Sequence, residues 1–369
     1  MPLTVHHYYP YGSTNLGDLL VARALRLQIP KHFGDCRFVD VPVNDRYPGS
    51  DRPVGLIRPN VERSNDEADL IVIGGSNLLQ SRTSKKPPEG GKKLGRWGVQ
   101  TDLDSIGLIN KPLLLVGMGT GSSWGKSIPK YVWPADAEIK ALHQKAIASA
   151  VRDDATVREL SRIGVITRCT GCPVTYTTDS PIESPPPGST LAISFPPIRI
   201  MKNWTGRRFM KSAMQYAGRL KAAGVPVIIT LHDSEDIEPA KSLAPSGVEV
   251  FFTESLEELV NRFTNVGAVI GFRLHAALLG FGLGKPIIPV GVDWRGKAFI
   301  ETFGMQDYAI QPSLFGSGKR LESLTRKLLT GDPTMIAAQR QAKARFMRLH
   351  DAFLAEAAAR FKKFQQAKS

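Results

Sequence analysis

What most constrains this chain is an alternation that runs through it twice. Short, continuous apolar runs are separated by stretches with helical spacing. In the first half the apolar runs are 3–9 (LTVHHYY), 37–43 (RFVDVPV), 69–75 (DLIVIGG), 112–119 (PLLLVGMG) and 146–153 (AIASAVRD). In the second half they are 191–195 (LAISF), 225–231 (VPVIITL), 248–252 (VEVFF), 268–272 (AVIGF) and 286–290 (PIIPV). A strand covered by helices on both faces has no polar side, so it reads as an unbroken apolar run. Helical spacing falls at 16–28, 154–163, 206–223, 255–264 and 275–283. Strand–helix alternation of this kind predicts parallel sheets in an α/β fold.

Residues 180–190 (SPIESPPPGST) interrupt the pattern with Pro and Ser and read as a linker. The 369 residues then divide into an α/β domain over 1–182 and a second over 190–330. Two such domains face each other with the carboxyl ends of their strands toward a cleft. The tail over 332–364 is one long helical pattern, with Asp332 as cap and Pro333 at the first helical position. Phe346, Phe353 and Phe364 fall near one face, with Met347, Leu354 and Phe361 alongside. That spacing predicts a helix docked on the protein's own core. Its many Lys and Arg leave a membrane-surface reading open.

The net charge is +14, which favours anionic partners: phosphorylated small molecules or anionic lipid headgroups. No helix-turn-helix, zinc-finger or aromatic RNA-binding signature accompanies the charge, so nucleic acid is not an expected partner. The three cysteines, Cys36, Cys169 and Cys172, suit a reducing cytoplasm. Cys169 and Cys172 have C-x-x-C spacing, but no second pair completes a four-ligand zinc site, and the pair reads as structural. No apolar run approaches the ~20 residues of a membrane span, and the opening MPLTVHHYYP is not a secretory signal.

Chemistry in such a fold sits where strands end. After the first run comes N-x-G-D, with Asn15, Gly17 and Asp18; a cap and turn explain these residues as well as a site does. IGGSNLL (73–79) and GMGTGSSWG (117–125) place glycines after buried strands, where backbone N–H groups can approach a ligand or simply make a tight turn. Neither has the spacing of a dinucleotide fingerprint. VRD at 151–153 puts Arg152 at a helix start, where the helix dipole disfavours a cation unless an anion lies nearby. LHDSED (231–236) offers His232 and Asp236, and GFRLHAALLG (271–280) offers Arg273 and His275. GVDWRGKAF (291–299) follows the last run.

In this order the motifs resemble the polysaccharide pyruvyl transferase family. The resemblance rests on N-x-G-D at 15–18, the glycine pair after DLIVI, GMGTG, VRD, TGCPV at 170–174, RLHAAL at 273–278, and Lys285, Pro286, Asp293, Lys297 and Phe299. It implies a fold similar to type-B glycosyltransferases: two Rossmann-like domains facing a cleft. It also implies phosphoenolpyruvate as donor substrate, with no further cofactor, and a sugar or lipid-linked oligosaccharide acceptor that ends with a pyruvate ketal.

The second domain is expected to be the donor side; the resemblance puts donor binding on Arg273, His275 and, from the first domain, Arg152, and Gly119 and Lys297 are expected to join them. The first domain is the acceptor side. Asn15, Ser76, Asn77, His232 and Asp236 are the expected acceptor contacts, and His275 and Asp18 the expected catalytic groups. No metal is expected. At Ser76 the family commonly has a third glycine, and departures also occur at Ser122 or Ser123 and at Phe272.

The chemistry suits the residues, because phosphate and carboxylate are oxygen acceptors matched to arginine forks. A cytoplasmic enzyme is expected, with peripheral contact to the inner face of an anionic membrane compatible with its charge. Two other readings stay open: a nucleotide-sugar-dependent glycosyltransferase on the same fold, and a catalytically dead glycan-binding protein. The basic stretch at 81–98 is expected to be a long surface loop.

Overall fold

The computed structural model describes residues 1–12, 15–43, 54–79, 99–120, 136–196, 204–313 and 316–367. The 81–98 stretch and Ser122 and Ser123 lie outside them.

Two parallel sheets account for the alternation. The first contains β1 (Leu3–Tyr9), β2 (Cys36–Pro42), β3 (Leu70–Gly74), β4 (Leu113–Met118), β5 (Ala148–Val151) and β6 (Arg168–Cys169) in the order β2-β1-β3-β4-β5-β6. The second contains β7 (Leu191–Ser194), β8 (Val227–Thr230), β9 (Glu249–Phe251), β10 (Ala268–Gly271) and β11 (Ile287–Pro289) in the order β11-β10-β7-β8-β9. All paired strands run parallel. Every residue of β3, β4, β7, β8, β10 and β11 is buried, which is why they appear in the sequence as uninterrupted apolar runs. Both orders reverse direction once, between β1 and β3 and between β7 and β10. Those reversals open crevices at the carboxyl ends of the strands.

Among the described residues, twelve α-helices cover the sheets. In the first half they are α1 (Leu16–Phe33), α2 (Arg58–Glu67), α3 (Leu103–Leu108), α4 (Asp136–Lys145) and α5 (Asp154–Arg162). In the second half they are α6 (Trp204–Ala222), α7 (Ile237–Leu243), α8 (Leu256–Thr264), α9 (Leu274–Gly282), α10 (Trp294–Thr302), α11 (Ser317–Leu329) and α12 (Pro333–Gln366).

Two expectations need correction. The α1 pattern was expected to end at 28, but the helix runs to Phe33 through Pro30. Pro30 sits in the last turn, and its carbonyl still accepts from Gly34 N at 3.1 Å. The run at 146–153 yields only four strand residues, which leaves Arg152 and Asp153 beyond the strand end. On α12 the buried aromatics are Phe346, Phe353 and Phe361, while Phe364 is only half-buried. Position 364 shares that face, since 346 and 364 are a whole number of turns apart, and its partial exposure comes with its place in the last turn of the helix.

α12 ties the halves together. Gln339 closes both hydrogen bonds with Ile287, donating to its carbonyl at 2.7 Å and accepting from its N–H at 2.9 Å. The buried Lys343 amine donates to the carbonyls of Ser180 and Gly282 at 2.6 and 2.8 Å. Phe361 then meets Phe33 of α1 with ring centroids 5.6 Å apart. One apolar cluster consequently includes α1, α9 and α12 residues. No helix among the described residues is long and apolar enough to cross a membrane.

Candidate functional site

The two crevices face each other. An added Cβ on Gly17, in the first turn of α1, would fall 1.9 Å from Nδ1 of His275 in the first turn of α9. Only the missing side chain at position 17 lets the imidazole rest against the start of α1. Asn15 caps that helix by accepting from Gly17 N at 3.0 Å. Asn15, His232, Phe272, Arg273, Leu274, His275, Asp293 and Arg295 line a narrow cavity at this junction.

On the first sheet, Asp18 and Ser76 close the β1/β3 crevice. Ser76 Oγ donates to Asp18 Oδ1 at 2.5 Å, and both residues are buried. Arg152, just past β5, is 3 % exposed and lies along Gly119, where an added Cβ would sit 2.1 Å from its Nε. Its guanidinium donates to Asp153 Oδ2 at 3.3 Å and to Asn77 Oδ1, while Nη1 is buried without a hydrogen-bond partner. Asp153 also caps α5, accepting from Thr156 N at 2.8 Å. The acid that begins the helix thus also offsets the cation before it.

On the second sheet, Arg273 crosses the β7/β10 crevice by donating its backbone N–H to Ser194 Oγ at 3.0 Å. Its guanidinium pairs with Asp236, which is 1 % exposed, and its Nε is buried without a partner. His232, just past β8, packs edge-on to Phe263 with both ring nitrogens unpartnered. Burial and the neighbouring Arg273 charge lower its pKa to about 3. His275 Nε2 is likewise buried and unpartnered. Burial holds His275 well below the usual imidazole range, helped by Arg152, Arg295, His232 and Arg273. Cations from both domains therefore act on one imidazole.

His7 and His350 are also buried neutral imidazoles, but they stack on Tyr9 and Tyr176 in the interior. What separates His232 and His275 is that they border the cavity. His275 is not the apolar-enclosed core histidine that its helix alone would suggest.

Sequence reasoning missed Arg295. Its guanidinium is held by Asp293, donating through Nε at 2.8 Å. Burial works against its charge, and Asp293 and Asp18 more than offset that. Lys297, the residue expected to bind donor from this segment, lies two positions on in α10, half-buried and outside the cavity lining. The rule that located Arg152 and Arg273, a cation just after a buried strand, points equally to Arg295. No group of three or more His, Cys, Asp or Glu able to hold a metal occurs among the described residues.

The glycine contact makes a direct prediction. Gly17→Ala should leave secondary structure intact and lower turnover by displacing the His275 ring. Wild-type kinetics in that variant would show that the domains meet differently in solution.

A family model described as polysaccharide pyruvyl transferase matches residues 15–293, from the capping Asn15 to Asp293. No curated protein matches the sequence. Among solved structures, a putative UDP-N-acetylglucosamine 2-epimerase from Listeria monocytogenes is similar at 11% identity and a TM-score of 0.53, covering 93% of this chain and 91% of its own. A glycosyltransferase from Rickettsia africae is similar at 11% identity and a TM-score of 0.52, covering 99% of both chains. Identities this low speak to the fold alone. The fold they share is the two-domain Rossmann-like architecture of type-B glycosyltransferases.

Proposed function

The chain belongs to the polysaccharide pyruvyl transferase family, and from that premise we propose that it transfers pyruvate from phosphoenolpyruvate to a sugar diol as a ketal. The acceptor is a sugar of a cell-surface polysaccharide or of its lipid-linked precursor. One observation carries the reading: Arg273, His232 and His275 line one cavity with buried N–H or ring-nitrogen groups that have no protein partner, and the charge of Arg152, whose Nη1 is likewise buried without a partner, acts on the same His275. Buried polar groups are ordinarily paired. A cluster of unpaired donors at a cleft fits a multi-oxygen anion, and phosphoenolpyruvate brings a phosphate and a carboxylate.

In this reading His275 Nε2, protonated once the anion is bound, gives its proton to the methylene carbon of the enol. The resulting oxocarbenium-like C2 is attacked by a sugar hydroxyl whose proton passes to Asp18. The C2–O bond to phosphate breaks with its electron pair leaving on phosphate, and a second hydroxyl closes the ketal on C2. Of the two hydroxyl protons, one is accounted for by the new methyl group and the other by the departing phosphate. Arg152, Arg273 and Arg295 hold the anion and stabilise phosphate as it leaves. Peripheral contact with an anionic membrane would bring a lipid-linked acceptor to this site, and the net charge of +14 supports it.

The test is incubation with phosphoenolpyruvate and a panel of nitrophenyl and lipid-linked sugars. The expected product gains the mass of pyruvate less one water and releases inorganic phosphate. Phosphoenolpyruvate should also raise the melting temperature. Stabilisation by a uridine nucleotide, with none by phosphoenolpyruvate, would point instead to a nucleotide-sugar-dependent glycosyltransferase.

A further inference from the structure

Among the described residues, Ser76 is the one non-glycine residue with positive φ, at 58°. A side chain is disfavoured there, whereas glycine adopts this conformation freely. The surroundings show why the backbone turns this way. The end of β3 descends one residue at a time along a single face of α1. Gly74 lies against Leu25, where an added Cβ would come 2.7 Å from Cδ1. Gly75, with φ of 81°, lies against Val21, where an added Cβ would come 2.5 Å from Cγ1. Ser76 is the next rung, and its hydroxyl meets Asp18 at 2.5 Å. Residues 18, 21 and 25 share a helix face, so the three contacts form one ladder. The first two rungs need glycine for closeness. At the third, glycine would relieve the backbone, yet serine stands there.

We propose that Ser76 is a positioning residue: its hydroxyl, held in a left-handed backbone conformation, fixes the rotamer and ionisation of the Asp18 carboxylate. This rests on the reading of Asp18 as the base for the acceptor hydroxyl. Strain at a single residue is retained when a function depends on the geometry it enforces. The Ser76 carbonyl also accepts from Gly119 N at 3.0 Å, which holds the turn from the other side.

Two variants separate backbone from hydroxyl. Ser76→Ala keeps the disfavoured conformation and loses the hydrogen bond; Ser76→Gly loses the bond and relieves the conformation. Ser76→Gly should therefore melt at the higher temperature of the two. Both should nevertheless lose turnover to the same extent, on the order of 10-fold for one charge-assisted hydrogen bond. In both, the acidic limb of the pH profile should move upward, because a carboxylate deprived of a donor holds its proton to higher pH.

The Asp18 carboxyl, followed by carbon-13 NMR, should titrate upward in both variants. Neither substitution should add to the loss in an Asp18→Asn background. A Ser76→Gly enzyme with the wild-type pH profile and carboxyl titration would overturn the proposal and leave Ser76 a plain turn residue. Full turnover in Asp18→Asn would instead refute the assignment of Asp18 as base. The NMR titration still reports on the Ser76 contact in that case, so the two failures are distinguishable.

Discussion

Replacing His275 with glutamine is expected to lower turnover by about 100- to 10,000-fold, the usual contribution of a general acid–base group, while leaving the fold intact. Glutamine keeps a hydrogen-bonding group of similar reach but cannot carry the proton to the enol carbon. The effect should fall on kcat more than on phosphoenolpyruvate affinity, because the arginines remain. A variant with near-normal kcat would remove His275 from the chemistry.

The same residue sets a pH signature. In the empty site His275 is held neutral by burial and by the Arg152, Arg295 and Arg273 charges. A bound phosphate and carboxylate cancel those charges, so the affinity of the imidazole for its proton rises on binding. Donor binding should then take up protons, detectable as a calorimetric enthalpy that differs between buffers of different ionisation heat. The sign fixes the kinetics as well. kcat requires the protonated form and should fall as pH rises through the bound-state pKa. kcat/KM reports the free enzyme, whose His275 is neutral, so it should fall steadily with rising pH and show no break at the bound-state pKa. Binding without proton uptake in the wild-type enzyme would contradict the acid role.

How much of this was legible in the sequence depended on what holds each element. Strands buried on both faces announced themselves, because nothing polar can sit in them. α12 was legible from Asp332, Pro333 and its aromatic spacing. α2 was not: RPNVERSNDE holds one large apolar residue, Val61. That helix is fixed instead by polar contacts, with Ser64 Oγ bonding His6 Nδ1 at 2.9 Å and Tyr8 at 2.8 Å. Hydrogen bonds between distant residues leave no periodic trace.

At the candidate site, the polar clusters could be picked out from their places after strands, whereas Arg295 was passed over and the pairing between domains was hidden. Nothing local in N-x-G-D indicates that Gly17 must stay bare for His275, because the clash belongs to the docked fold. Ser76 carried a partial signal as a side chain in a glycine turn. Its partner Asp18 came only with the packing of β3 on α1.

Arg273→Lys is expected to weaken phosphoenolpyruvate binding by roughly 30-fold or more, the lower end of the cost of disrupting a buried, hydrogen-bonded charge contact. The geometry explains why a retained charge does not suffice. The guanidinium spends one edge on Asp236 and keeps Nε unpartnered for a ligand. A lysine ammonium is a point charge at the end of its stem and cannot serve Asp236 and an anion in one planar arrangement. Asp236 is 1 % exposed, so it competes strongly for whatever cation remains. Arg273→Ala should be worse in a different way. It strands the buried Asp236 carboxylate, and breaking one side of such a pair typically costs about 3–5 kcal/mol of stability. Adding Asp236→Asn to Arg273→Ala should recover much of that stability and none of the affinity, because the stranded charge is gone while the donor fork is still missing. Calorimetric titration with phosphoenolpyruvate, paired with thermal melts of the three variants, separates the roles. Near-normal affinity in Arg273→Lys would mean that the fork binds Asp236 alone and that the anion is held by Arg152 and Arg295.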